Sequence, residues 1–114
     1  MDTTSERVAK NQSAFRDANE RIEGAADAME GLDLIPLICE CADRKCTELA
    51  RLTREEYEHV RADSTRFFVV PGHEMTRVNG VEVARIVDRG ERYSILEKVG
   101  EAGAIATELD PRTV

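Results

Sequence analysis

The segment Cys39-Glu40-Cys41-Ala42-Asp43-Arg44-Lys45-Cys46 restricts this chain more than any other, because it holds all three cysteines of the protein. Cys39 and Cys41 are two apart, so on a strand both side chains leave from one face and Glu40 from the other. The four residues before Cys46 let the chain turn and bring a third sulfur back. A fourth donor, His73, lies downstream in Val69-Val70-Pro71-Gly72-His73-Glu74. It follows a strongly sheet-forming run, in a sharp turn where Gly72 permits a backbone conformation other residues resist. Three thiolates and one imidazole make a closed tetrahedral site, the usual form of a structural zinc, with sulfur at about 2.3 Å and nitrogen at about 2.0 Å. Such a site carries one net negative charge, which Arg44 and Lys45 in the turn would offset. The second nitrogen of the imidazole needs an acceptor, and Glu74 is the carboxylate next to it in sequence.

The pattern leaves alternatives open. Cys-x-Cys-x4-Cys is less diagnostic than two Cys-x2-Cys pairs. The same residues could be buried structural cysteines, or a thiol switch in which Cys39 and Cys41 work without metal. An iron–sulfur cluster is disfavoured, since it usually takes four cysteines. His59, in Glu55-Glu56-Tyr57-Glu58-His59, is the rival imidazole; it sits four residues from Glu55 in a charged helix. If neither histidine binds, water would complete the coordination, and a hydrolytic zinc could use Glu40 or Glu74 as its base. No complete catalytic motif is present, so a non-enzymatic role is expected.

Composition sharpens this reading. A chain of 114 residues fits one small domain. Aromatics make up 4% and tryptophan is absent, so the core rests on Val, Ile, Leu and Ala, and a metal staple would help it. The net charge of −7 argues against a nucleic-acid surface, which needs clustered Lys and Arg. Arg77, Arg85, Arg89 and Arg92 read as a solvated strand surface with alternating charges, a local basic face being the alternative. No apolar run approaches the ~20 residues needed to span a bilayer. The N-terminus is acidic and polar, unlike a signal peptide, which places the protein in the cytoplasm. A reducing compartment and an odd number of cysteines both favour metal or redox work over disulfides.

Along the chain, residues 4–30 read as helix, with Thr3 as N-cap, Glu6 completing a capping box, and Gly31 as the stop. Val8, Phe15, Ile22 and Met29 recur every seven residues, a narrow stripe closer to a coiled-coil seam than to a broad core face. Residues 34–41 read as a strand with Pro36 marking an edge, and 46–50 as its return. Thr53 and Glu56 form a second capping box, with Leu52 and Tyr57 as a hydrophobic staple, for a helix over 54–62 that turns Tyr57 and Val60 inward. Residues 66–70 read as a strand. Residues 81–88 and 92–99 read as a hairpin, with Asn79-Gly80 a turn just before it. Residues 101–109 read as a short helix with Ala102, Ile105 and Ala106 inward. The fold class is α+β, divided into an N-terminal helix over 1–31 and a small zinc-binding domain over 32–114.

Three segments carry a family likeness: Ala14-Phe15-Arg16-Asp17-Ala18-Asn19-Glu20-Arg21-Ile22; Cys39-Glu40-Cys41 to Cys46-Thr47-Glu48; and Tyr57 through Arg66-Phe67 to Pro71-Gly72-His73-Glu74. A weaker echo runs through Tyr93-Ser94-Ile95-Leu96-Glu97-Lys98 and Gly100-Glu101-Ala102. On these residues the chain resembles a group of small, functionally uncharacterised bacterial proteins common in actinobacteria. The resemblance implies that Cys39, Cys41, Cys46 and His73 belong to one site, and it implies no activity. The expectation is therefore a small cytoplasmic protein with one structural Zn²⁺, acting as an interaction or regulatory module. Its partner would be another protein or a second copy engaged through the N-terminal helix, with no nucleic acid and no membrane. A thiol-redox switch or a zinc hydrolase built on the same cysteines is the alternative.

Overall fold

The computed structural model describes residues 3–26, 31, 33–43 and 45–112. The order is α1 (Thr4–Ala26), β1 (Ile35–Ile38), β2 (Leu49–Leu52), α2 (Arg54–Arg61), β3 (Arg66–Val69), β4 (Arg77–Val78), β5 (Val81–Glu82), β6 (Ala84–Arg89), β7 (Ser94–Lys98) and α3 (Gly100–Glu108). This is an α+β chain with a long N-terminal helix. No helix among the described residues is long and apolar enough to cross a membrane.

β1 and β2 pair antiparallel, Ile35 opposite Leu52 and Ile38 opposite Leu49. β7 is the middle strand of an antiparallel sheet ordered β3-β7-β6. The expected strand over 81–88 is split. Val81 and Glu82 fold back on Arg77 and Val78 as a separate hairpin, and β6 begins after them. The reason is Asn79-Gly80, both with positive φ (51° and 78°), the conformation a two-residue hairpin turn demands.

α2 starts as its sequence specifies. The Thr53 hydroxyl accepts the Glu56 N–H, and the Glu56 carboxylate accepts the Thr53 N–H. Leu52 and Tyr57 are both fully buried, and Tyr57 meets Phe68 edge-on with ring centroids 6.2 Å apart. At α1, Thr3 Oγ1 accepts the Glu6 N–H at 3.1 Å. The expected end of this helix, with Met29, lies outside the described residues.

The face that α1 buries differs from the expected stripe. Phe15 and Ile22 are only half-buried, whereas Gln12, Arg16 and Asn19 are fully buried beside Val8 and Ala9. The cause is hydrogen bonding: each polar residue spends its donors on the body of the protein. Gln12 Nε2 donates to the Glu40 carbonyl. Arg16 donates to the carbonyls of Ser64 and Arg66 and lies 3.6 Å over the Phe67 ring. Asn19 donates to the Ile38 carbonyl and accepts the Ile38 N–H, each at 2.8 Å. Buried polar groups are tolerated when most of their bonds are so satisfied; of these three side chains, Gln12 Oε1 and Arg16 Nε are the atoms left without a hydrogen bond among the described residues. The exposed line of the helix is polar or small: Arg7, Lys10, Ala14, Asp17 and Arg21.

Two apolar clusters result. One gathers Ile35, Leu37, Leu52, Tyr57, Val60, Phe68 and Ile95 between the first hairpin, α2 and the sheet. The other gathers Val8, Ala9, Val69, Val83, Ala84, Leu96 and Ala102, and two of its buried members are Cys39 and Cys41. The strand arginines are solvated and partnered: Arg85 with Glu97, Arg89 with Glu74, Arg92 with Glu56, and Arg77 with the Gly80 carbonyl.

Candidate metal centre

The connection between β1 and β2 carries the three sulfurs. The chain leaves β1 still extended, so Cys39 and Cys41 face the second cluster while Glu40 faces α1. Cys39 N–H donates to the Glu48 carbonyl and Glu40 N–H to the Phe68 carbonyl, which fixes this stretch between β2 and β3. A tight turn follows. The Asp43 carboxylate accepts the Lys45 N–H at 2.9 Å, and the Asp43 carbonyl accepts the Cys46 N–H at 3.0 Å. It returns Cys46 to the other two.

His73 arrives from β3. Its N–H donates to the Val70 carbonyl at 2.9 Å across Pro71-Gly72, with Gly72 at φ 94°. Proline second and a positive-φ glycine third are what a type II turn requires. Cys39, Cys41, Cys46 and His73 thereby bring one ligand atom each within 4.8 Å of one another. His73 Nδ1 lies 3.5 Å from Cys46 Sγ and 3.8 Å from Cys39 Sγ. A tetrahedral zinc with ordinary bond lengths would set sulfur–sulfur distances at about 3.7 Å and sulfur–nitrogen distances at about 3.5 Å. The donors are soft sulfur and imidazole, and two of the four are fully buried. The residues fit a metal ion of the zinc type. No disulfide links the cysteines; all three are free.

The surroundings correct parts of the sequence reading. The imidazole's second nitrogen is served by Glu48, whose carboxylate contacts His73 Nε2, and not by Glu74. Nδ1 is the ring nitrogen turned toward the sulfurs and would be the one to hold a metal. Glu74 instead accepts the Gly72 N–H at 2.8 Å and holds the turn from outside. Glu40 is fully buried on the far side of the strand. Its carboxylate accepts from Asn19 Nδ2 and the Phe68 N–H, so both of the carboxylates considered as bases are committed to structure. His59 is exposed on α2 and is not among the clustered residues.

Electrostatics bind the trio together. Cys39 is pushed up by its hydrogen bond to Cys41 and by burial, and Cys41 is pulled down by the same bond. Burial pushes the Cys46 thiol up. His73 is raised by its hydrogen bond to Cys41, and Glu48 adds to the effect. The Val70 N–H donates to Cys39 Sγ at 3.2 Å, a bond that favours the charged sulfur. Of the two cations expected to offset the site, Arg44 lies outside the described residues and Lys45 is exposed. Lys98 is 3% exposed; burial lowers its ammonium to about 7, with Glu40 and, more weakly, Cys41 pulling the other way. Nothing in the spacing of the sequence flagged Glu48 or Lys98; Glu48 could have been found as the only carboxylate between Cys46 and β2.

No protein family, curated protein or solved structure that was compared matches this chain.

Proposed function

We propose that this protein is a small zinc-binding module in which one Zn²⁺, held by Cys39, Cys41, Cys46 and His73, ties the first hairpin to the turn after β3. The observation that carries the reading is the convergence of those four ligand atoms within 4.8 Å from segments 27 residues apart at their closest, between Cys46 and His73. A closed ligand set supports a structural role for the metal, with no position left for a substrate. The module works in the cytoplasm as an interaction or regulatory unit. Its partner is another protein or a second copy, met through the polar outer line of α1. A redox reading has one observation in its favour: Cys46 is only half-buried, so an oxidant reaches it before the other two sulfurs.

The test is zinc per chain in protein purified without added metal, for the native chain and for His73→Ala. Near one zinc in the native chain, with loss of metal and of local folding in the variant, is the expected result. Zinc retained by the variant with a bound water would point to hydrolytic chemistry. Free reactive thiols without metal would leave the redox reading.

A further inference from the structure

Beside the cysteine turn lies a cleft of about 400 Å³, open to solvent, whose walls come from three separate elements. The first turns of α1 supply Arg7 and Asn11, the cysteine turn supplies Lys45, and the β4–β5 hairpin supplies Asn79. Its floor is apolar: Val8, 5% exposed, with Ala42 and Val78 half-buried beside it. The volume is within the range of small-molecule sites.

Two cations border this cleft on a chain that is acidic overall. The protein carries a net charge of −7, and Arg54, Arg61, Arg66, Arg85, Arg89, Arg92 and Arg112 form ion pairs, whereas Arg77 donates to a carbonyl and Arg21 and Arg51, like Arg7, have no ion pair among the described residues. Arg7 and Lys45 have no ion pair among the described residues, yet both border the same cleft. The one carboxylate there, Asp43, accepts the Lys45 N–H through Oδ1 and keeps its charge, so the cleft sets two cations against one anion. Two unmatched cations, amide side chains on two walls and an apolar floor form a complementary set. The cations would hold an anion, Arg7 as a planar fork and Lys45 as a point charge. The amides would add hydrogen bonds, and the floor would take a few carbons.

We propose that this cleft binds a small molecule bearing an oxyanion, a carboxylate or a phosphate, on a short apolar body. The site is distinct from the four metal ligands and does not require the metal to take part in binding. It adjoins the centre, because Asp43 and Lys45 lie between Cys41 and Cys46. An occupied cleft would link α1, the cysteine turn and the β4–β5 hairpin. That hairpin forms a sheet of its own, tied at its base by the Thr76 carbonyl, which accepts the Val83 and Ala84 N–H groups, so bridging its tip gives the ligand a structural readout.

The experiment is a titration followed by amide NMR shifts, using inorganic phosphate, phenyl phosphate and hexanoate, on the full chain with its zinc content measured in the same sample. Saturable shifts confined to 4–11, 42–46 and 76–81 are expected, weakening in high salt. Arg7→Gln should weaken binding about tenfold or more, as loss of a charged hydrogen bond does, and Lys45→Gln should do likewise. Arg21→Gln, on the exposed line of the same helix, should leave it unchanged. Tighter binding of phenyl phosphate than of hexanoate assigns the phosphate, and the reverse assigns the carboxylate. Shifts spread over every exposed cation, equal binding to Arg7→Gln and the native chain, or no saturation with any of the three probes would overturn the proposal. A chain that holds no zinc but shows the confined shifts would keep the cleft and refute the metal reading, so the two fail separately.

Discussion

The two apolar clusters are of similar extent but are made differently. The one under α2 is filled by Ile35, Leu37, Leu52, Tyr57, Phe68 and Ile95, large side chains that interlock. The one under the cysteine turn relies on Val8, Ala9, Val83, Ala84, Ala102 and a single leucine, Leu96, with Cys39 and Cys41 completing it. Burial contributes roughly 25 cal/mol per Å² of apolar surface, so the first cluster can hold its elements by packing alone. The second has less to bury and brings four atoms that could hold a metal together where large side chains would otherwise sit. The lesson is that a small chain with few aromatics can divide the work, closing one half by shape and furnishing the other with a ligand set that the proposed metal would close.

Removing the metal is the strongest way to break that contrast. Structural zinc sites release about 10–16 kcal/mol on binding. Chelation should therefore strip hydrogen-exchange protection from 39–48 and 69–74 while β1, β2 and α2 keep theirs. Loss of protection in both clusters together would mean that they fold as one unit. The converse is Phe68→Ala, expected to cost about 3–5 kcal/mol through the cavity it leaves. Urea melts with and without zinc should show that same loss.

Glu48→Gln should weaken zinc binding by about 10–100-fold, the usual effect of losing the carboxylate that orients a ligand histidine. Competition with a chromophoric chelator would read this directly. Smaller again is a pH effect at the base of the metal cluster. Burial lowers the Lys98 ammonium from 10.5 to about 7, with Glu40 pulling the other way. A depressed value means that its contribution to stability is full above pH 10.5 and is lost as pH falls toward 7. Between these limits the native chain should gain at most about 1.4 kcal/mol per pH unit relative to Lys98→Met. A zero difference in slope between the two, from denaturant melts at pH 7.5 and 9.5, would remove Lys98 from the account. Thr53→Ala should cost about 1 kcal/mol by uncapping α2, and its thermal melt should not depend on metal.

Much of this was legible in the sequence where the signal was local. Thr53 and Glu56 marked a helix start, Asn79-Gly80 a turn, and Pro71-Gly72 the bend that carries His73. The alternation at Cys39-Glu40-Cys41 correctly separated the sulfurs from the carboxylate. What was not legible depended on contacts distant along the chain. The heptad of Val8, Phe15 and Ile22 pointed to an apolar seam, but Gln12, Arg16 and Asn19 rotate the helix so that their donors meet carbonyls at Glu40, Ser64, Arg66 and Ile38. Hydrophobic spacing cannot register a face selected by hydrogen bonds. Glu48 was missed for a similar reason: its role is defined by a ring 25 positions away in a different turn.

The twin bonds between Asn19 and Ile38 have a further consequence. β1 has β2 on one side, and on the other its peptide groups would be free to recruit a foreign strand. One amide side chain, offering a donor and an acceptor at the right separation, stands in for the missing neighbour. A chain in which α1 came away would uncover this border at Ile38, beside Pro36, which has no N–H to offer, and its first fault would be clumping with copies of itself.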